Sequence, residues 1–186
     1  QTGPIIMNEP SQENEIVEKF EEFIPGETDN IINLESSDDS RNIAVKMINN
    51  CRRSLDVISR DLDPCIYNTS EMIDAIKRLA LRSRYSRIRI LVMHPKSVVT
   101  HGHRFLDLSQ RLSSFFEIRS LAEQHSEYNK SLLIVDDYGY ILRPHADRFA
   151  GTANFNDRAT VSELSSEFDT LWEQADRNPN FRQLNT

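Results

Sequence analysis

The sequence has few cysteines and no long apolar run, and each scarcity excludes a class of protein. Only two cysteines, Cys51 and Cys65, occur in 186 residues. They are too few for a disulfide scaffold and lack the CxxC spacing of a zinc site. The longest apolar runs, such as residues 90–93 and 132–135, fall far short of the roughly 20 residues that span a bilayer. No basic and apolar leader opens the chain, so we expect no signal peptide and a reducing, cytoplasmic location.

Positive charge is scarce at the start of the chain and is concentrated in the rest. Residues 1–40 carry eleven acidic residues and one lysine, a net charge of −10. Residues 41–186 carry 18 acidic residues and 21 lysines or arginines, a net charge of +3. The overall charge of −7 therefore hides a mildly basic body, and it is a poor guide to binding partners.

Residues 1–30 have the composition of an acidic linker or arm. Proline-containing breaks interrupt this segment at residues 3–4, 10 and 25–26. Five apolar residues between the breaks share one helical face: Ile16, Val17, Phe20, Phe23 and Ile24. We expect an arm over residues 1–30 with one short amphipathic helix, followed by a single domain over residues 31–186.

From residue 31 onward, helical and strand patterns alternate and then give way to consecutive strands. Residues 87–93 alternate between polar and apolar side chains, which is typical of a strand. Three further strand patterns follow at residues 131–135, 138–142 and 149–153, and a helical pattern with Phe168 on its apolar face ends the series. This order predicts an α/β fold with a mixed β-sheet flanked by helices.

Two segments in the second half of the chain carry a family resemblance. The first is NKSLLIVDD, at residues 129–137, and the second is GTANF, at residues 151–155. Together they resemble the signature of the phospholipase D-like superfamily, in which H-x-K and a later D precede G-[ST]-x-N on a later strand. The order of the upstream helices and strands is similar too, and the resemblance covers roughly residues 31–176. It implies a phospholipase D-like α/β domain.

The sequence departs from that signature at the catalytic positions. Aligned on Asp136, Asn129 stands where the family has its histidine and Ser131 where it has its lysine. The resemblance implies that active members use histidines as nucleophile and general acid, and lysine and asparagine to hold phosphate oxygens. A carboxamide cannot attack phosphorus or shuttle a proton near neutrality, and serine lacks the stabilising positive charge. We therefore expect no catalytic residue and a degenerate domain, a pseudoenzyme.

Polar residues suited to a phosphate-containing ligand nevertheless remain in the two segments. Residues i and i+2 on a strand share a face, so Asn129 points with Ser131, and Thr152 with Asn154. If the two strands are neighbours, these four side chains converge on a small-anion pocket, or they bond only to one another. The resemblance adds Glu163 as the family's downstream acid. The ligand-binding candidates are Asn129, Ser131, Gly151, Thr152, Asn154 and Glu163.

A basic stretch runs from a predicted helix end into the next strand. Its nucleic-acid-binding candidates are Arg78, Arg82, Arg84 and Arg87. Cations at a helix C-terminus are favourable in themselves, and only Tyr85 interleaves with these arginines, so a structural explanation stays open. His101 and His103 have no nearby acid or cysteine to complete a metal site, so we expect neither a metal nor a cofactor.

Three functions remain open from the sequence. The first is a non-catalytic binding, regulatory or assembly module of a larger protein. Because single-motif family members pair two copies, the resemblance implies a homodimer or a neighbouring domain as partner. The second is a divergent phosphodiesterase acting on phospholipid or nucleic acid, in which Thr152 and Asn154 hold phosphate and His125 is the first candidate for a replacement nucleophile. The third is a nucleic-acid-binding module.

Overall fold

A seven-stranded mixed β-sheet organises the computed structural model, which describes residue 24 and residues 26–100 and 104–177. The strands are β1 (Ile32–Leu34), β2 (Ser54–Ser59), β3 (Arg87–Val92), β4 (Phe116–Ser120), β5 (Ser131–Val135), β6 (Gly139–Arg143) and β7 (Gly151–Asn154). Their order across the sheet is β1-β7-β6-β5-β2-β3-β4. Strands β2, β3 and β4 are parallel, whereas β5, β6, β7 and β1 pair antiparallel with their neighbours.

Helices cover both faces of the sheet in the described part of the chain. They are α1 (Ser37–Asn50), α2 (Pro64–Tyr67), α3 (Ser70–Arg82), α4 (Pro95–Thr100), α5 (Arg104–Arg111) and α6 (Arg158–Gln174). The larger apolar core lies beneath α1, α3 and α5, and a smaller core lies beneath α6 on the opposite face. The predicted mixed sheet flanked by helices is confirmed. None of these described helices has the length and apolar content needed to cross a bilayer.

An arginine on β3 attaches α6 to one face of the sheet. The Arg89 guanidinium donates hydrogen bonds to Asp56 at 2.8 and 3.0 Å and to Asp169 on α6 at 2.9 Å. It also lies 4.8 Å from the ring centroid of Phe168 and 5.5 Å from that of Trp172. A buried carboxylate is tolerated when it is paired and hydrogen-bonded in this way. Asp56 is thereby committed to Arg89.

The described residues before β1 pack against the end of β7. The Gly26 N–H donates to the Phe155 carbonyl at 2.8 Å, and Gly26 has φ +81°, a left-handed conformation that favours glycine. The Asp29 carboxylate accepts a hydrogen bond from Asn154. The amphipathic helix predicted within residues 1–30 lies outside the described residues, and the division at residue 31 stays a prediction.

Candidate functional site

Asn129 and Ser131, which the resemblance aligns with a histidine and a lysine, have different surroundings. Asn129 is exposed, and its carbonyl accepts the Ala146 N–H at 2.8 Å. Ser131 is buried as the first residue of β5. Because β5 begins only at Ser131, strand alternation does not extend to Asn129, and the expectation that the two share a strand face is wrong.

A small cavity lies beside Ser131. It has a volume of about 10 Å³, and Ser40, Tyr67 and Arg143 supply its other polar side chains. That is about the space that one water molecule needs. Burial raises the pKa of Tyr67 above its ordinary value, so this phenol stays protonated. A phosphate group is several times larger than one water and does not fit here in the present packing.

Arg143 fills the space next to Ser131 and is fully engaged by the protein. The register pairs the two residues directly across β5 and β6. The Arg143 guanidinium donates to the Asp63 carboxylate at 2.8 Å and to the carbonyls of Arg148 and Ala146 at 2.7 and 2.9 Å. Its side chain is 4% exposed, so no face of the guanidinium is open to an anion.

Thr152 and Asn154 lie on the other face of the sheet from Ser131. Strand β6 separates β5 from β7, so the two segments of the motif are not neighbours. The register pairs Ser131 with Arg143 and Tyr140 with Asn154. Tyr140 and Arg143 are three residues apart on β6, and side chains an odd number apart point to opposite faces. The predicted convergence of four polar side chains is therefore wrong, because β6 intervenes.

Two residues of the second segment, Gly151 and Asn154, have structural roles in the fold. The Asn154 amide donates to Asp29 at 2.9 Å and accepts the Asn156 N–H at 3.0 Å, and the residue is 1% exposed. A Cβ atom added to Gly151 would lie 2.3 Å from the carbonyl oxygen of Leu142, closer than any real contact. Asn154 thus anchors the segment before β1, and Gly151 allows β6 and β7 to approach.

The remaining two ligand candidates lie on the α6 side of the sheet. Thr152 is partly buried on the face that carries α6, and Glu163 is exposed on α6 itself. The sheet therefore separates both residues from Ser131. Ligand binding by any of the six candidates stays a prediction, and the structure does not assemble them into one pocket.

Asp136, the aspartate of the first segment, anchors the loop that leads into β2. Its carboxylate accepts the backbone N–H groups of Arg52, Arg53 and Ser54 at 2.9, 2.9 and 3.0 Å. Asp136 itself has φ +50°. Sequence analysis missed this role because the partners lie 82 to 84 residues away.

Burial, followed by the nearby Asp136 charge, raises the pKa of the Cys51 thiol to about 12.

Six arginines gather where β2 and β3 begin. The two strands are parallel, and the Arg87 N–H donates to the Arg53 carbonyl at 2.9 Å, so residues 52–53 join the predicted basic stretch. Sequence analysis missed Arg52 and Arg53 because only this strand pairing brings them there. We call the surface the basic edge, formed by Arg52, Arg53, Arg78, Arg82, Arg84 and Arg87. It lies at the opposite end of β2 from Ser131.

Two of the four predicted arginines close the end of α1. Arg78 donates to the Asn49 side-chain oxygen at 2.6 Å. Arg82 donates to the carbonyls of Cys51 and Asn49. Cationic donors are favourable at a helix C-terminus, where carbonyl groups lack helical partners. These two side chains therefore have a structural role, whatever else they bind.

The other arginines of the basic edge are more available. Arg84 and Arg53 flank the Tyr85 ring, with guanidinium carbons 4.7 and 5.7 Å from its centroid. Arg87 is 55% exposed and lies 3.9 Å from Asp56, whose carboxylate is already bound by Arg89.

An open groove of about 890 Å³ borders the basic edge. Arg52, Arg53, Arg82 and Arg158 contribute positive charge to its walls. Glu27, Asp136 and Asp137 line the groove too, and Asp137 is paired with Arg158. The groove therefore carries only a small excess of positive charge, which lies on the side of Arg52 and Arg53.

The described histidines belong to no group of side chains that could hold a metal ion. His125 ends the short 3₁₀ turn Glu123–His125, and its ring contacts Gln174 on α6. Within residues 26–100 and 104–177, no group of three or more His, Cys, Asp or Glu side chains could hold a metal ion. His101 and His103 lie outside the described residues.

Comparison with known proteins identifies the family and the fold. The family described as "Domain of unknown function (DUF7931)" matches residues 36–184, so the chain belongs to this family. No curated protein matches the sequence.

Solved structures with the same fold include a phospholipase D family member and an archaeal chromatin protein. TrmBL2, an archaeal chromatin protein with a novel mode of DNA binding, has a TM-score of 0.60 at 14% identity, and the match covers 90% of this chain. The chain spans only 61% of the length of that TrmBL2 chain. Nuc, a phospholipase D family member from Salmonella typhimurium, has a TM-score of 0.57 at 9% identity, covering 80% of this chain and 97% of Nuc. NucT from Helicobacter pylori has a TM-score of 0.54 at 16% identity, covering 80% of this chain and 100% of NucT. The fold is therefore phospholipase D-like, as predicted.

Proposed function

We propose that this DUF7931 chain is a non-catalytic phospholipase D-like domain that acts through binding or assembly. The observation that carries the proposal is the burial of Ser131. This position, which aligns with the superfamily's lysine, borders a cavity of about 10 Å³ beside the buried Arg143–Asp63 ion pair. A space of that size holds about one water molecule and is too small for a phosphodiester.

The side chains around the position also lack the required chemistry. The amide of Asn129 cannot act as a nucleophile or general acid near neutral pH. His125, the alternative nucleophile, lies in a turn where its ring contacts Gln174. The space beside Ser131 therefore has no available cation to hold a phosphate and no available general acid among the described residues.

A phosphodiesterase assay tests this proposal directly. The full chain is incubated at high concentration with bis(p-nitrophenyl) phosphate, alongside Asn129→Ala and His125→Ala, which alter side chains that are not in the core. We expect no turnover above the buffer rate in any of the three proteins. Turnover that either variant abolishes would contradict the proposal and establish the divergent phosphodiesterase.

A second candidate function is nucleic-acid binding by the basic edge. Within the described part of the chain, no carboxylate pairs with the guanidinium groups of Arg52, Arg53 or Arg84. Residues 41–186, which contain the edge, carry a net charge of +3. The DNA binding named for TrmBL2, which shares the fold, also favours this candidate.

Salt-dependent binding of a labelled duplex DNA tests the second candidate. Fluorescence anisotropy should show affinity falling steeply between about 50 and 200 mM salt, as released counterions require. Arg84→Glu and Arg87→Glu should weaken binding. Lys96→Glu makes an equal charge change beyond the other end of β3, and we expect it to leave the affinity for DNA unchanged. Failure of the wild-type chain to bind at about 50 mM salt would refute the nucleic-acid function.

Self-assembly is a further part of the proposal. Single-motif members of the superfamily pair two copies, so we expect a homodimer. Light scattering distinguishes the 21.6 kDa chain from a dimer. A monomer at high protein concentration would contradict this part.

A further inference from the structure

We propose that Tyr85 holds the guanidinium groups of Arg53 and Arg84 as a clamp for the phosphates of a nucleic acid backbone. The proposal rests on the nucleic-acid function above and assigns its contact residues. Tyr85 is 58% exposed in the loop between α3 and β3. The Arg84 guanidinium lies 4.7 Å from the ring centroid and donates to the Tyr85 hydroxyl, and the Arg53 guanidinium lies at 5.7 Å.

The backbone on both sides of the clamp is fixed by hydrogen bonds. The Arg53 N–H is held by the Asp136 carboxylate at 2.9 Å, and the Arg53 carbonyl accepts the Arg87 N–H. The Tyr85 N–H donates to the Ser83 hydroxyl at 3.1 Å. The two arginines therefore project from anchored positions, although they are 31 residues apart in the sequence.

The chemistry of this arrangement suits a phosphodiester. An aromatic ring packs against the flat face of a guanidinium and leaves the N–H groups at its edge free to donate. Those N–H groups match the spacing of two phosphate oxygens, so arginine binds phosphate in a bidentate manner. Restricting the arginine rotamers before binding reduces the entropy lost on binding.

Neighbouring residues extend the clamp and do not neutralise it. Arg52 and Arg87 lie on the same edge beside Arg53. The nearby carboxylates are occupied elsewhere: Asp56 binds Arg89, and Asp136 binds backbone N–H groups. Arg87 also lies 3.9 Å from Asp56, whereas no carboxylate among the described residues forms an ion pair with Arg52 or Arg53. A row of cations of this kind favours a repeating phosphate chain over a single anion.

The experiment measures the salt dependence of DNA binding by clamp variants of the full chain. Binding of labelled duplex and single-stranded DNA is followed by anisotropy for Arg53→Gln, Tyr85→Ala and Tyr85→Phe, with Lys96→Gln as the matched control. For Arg53→Gln we expect the slope of log K against log[salt] to fall by about 1, the value of one phosphate contact. Tyr85→Ala should lower the slope on both probes. Tyr85→Phe should stay within about twofold of wild type, because the ring remains.

Each contrary outcome has a separate meaning. If the wild-type chain binds neither probe, the proposed nucleic-acid function fails with the clamp. If the wild type binds but Arg53→Gln and Tyr85→Ala keep the full slope, the clamp alone is refuted. A loss confined to the single-stranded probe would overturn the clamp in favour of base stacking on Tyr85. Displacement of duplex by inorganic phosphate at matched ionic strength would overturn the assignment to a nucleic acid backbone.

Discussion

The carboxylate of Asp136 should be a major contributor to stability, and Asp136→Asn isolates its contribution. Asp136 has φ +50°, and asparagine adopts this left-handed conformation as readily as aspartate does. The substitution therefore keeps the backbone and the side-chain shape and changes only the hydrogen-bonding capacity. One carboxylate oxygen accepts the N–H of Arg52, and the other accepts those of Arg53 and Ser54.

The amide of the variant can replace only one of these two oxygens. Its NH₂ group would face a backbone N–H, so at least one hydrogen bond is lost and the others lose their charge. Hydrogen bonds to a charged group contribute about 1.5–3 kcal/mol each, and exposed N–H groups recover part of that from water. We expect a loss of about 2 kcal/mol in the free energy of unfolding.

Urea denaturation of the full chain measures the loss. With a slope of about 2 kcal/mol per molar urea, the midpoint should fall by about 1 M. Asp137→Asn is the matched control, because Asp137 is exposed and its pair with Arg158 lies on the surface, where such pairs contribute about 0–1 kcal/mol. Equal midpoints for the two variants would refute the anchoring role of Asp136.

Three further substitutions or labelling experiments test other parts of the structure. Asp63→Asn leaves the buried Arg143 charge uncompensated and should lower the free energy of unfolding, measured by urea denaturation, by about 3–5 kcal/mol. A loss below about 1 kcal/mol would contradict the burial of the Arg143–Asp63 pair. Gly151→Ala places a Cβ atom 2.3 Å from a carbonyl oxygen of β6 and should lower the free energy of unfolding by at least about 1–3 kcal/mol. An unchanged free energy of unfolding would contradict the close approach of β6 and β7. Burial raises the pKa of the Cys51 thiol to about 12, so this thiol stays protonated at neutral pH. A thiol reagent should therefore label only the exposed Cys65 in the native chain and both cysteines in denaturant. Rapid labelling of both cysteines in the native chain would contradict the burial of Cys51.

The fold was predictable from the sequence where burial imposes a period on the side chains. The alternation at residues 87–93 predicted β3, and the three later strand patterns predicted β5, β6 and β7. Alternation states which residues share a face of one strand, but it does not state which strands are neighbours. The position of β6 between the two segments of the motif was for that reason not predictable.

The sequence predicted which residue types occupy the candidate site, but it did not predict the contacts between residues that are distant in the chain. The sequence places asparagine at residue 129 and serine at residue 131, the positions that the resemblance aligns with a histidine and a lysine. The small volume of the space beside Ser131 is not visible in the sequence, because it depends on the pair between Arg143 and Asp63, which are 80 residues apart. The basic edge shows the same limit, since Arg53 joins Arg87 only through the pairing of β2 with β3.

The residues that resemble the phospholipase D-like signature differ in what they do in the fold. Asp136, Gly151 and Asn154 each make a contact that the fold needs regardless of catalysis, whereas Asn129 is exposed and Ser131 is buried. A partial motif can therefore persist for structural reasons, and its presence is no evidence of activity. The six residues of β2 place about 17 Å between the end where Ser131 lies and the end where the basic edge lies. A ligand held by the available arginines would consequently bind at the opposite end of the sheet from Ser131, and binding there would need neither Asn129 nor Ser131.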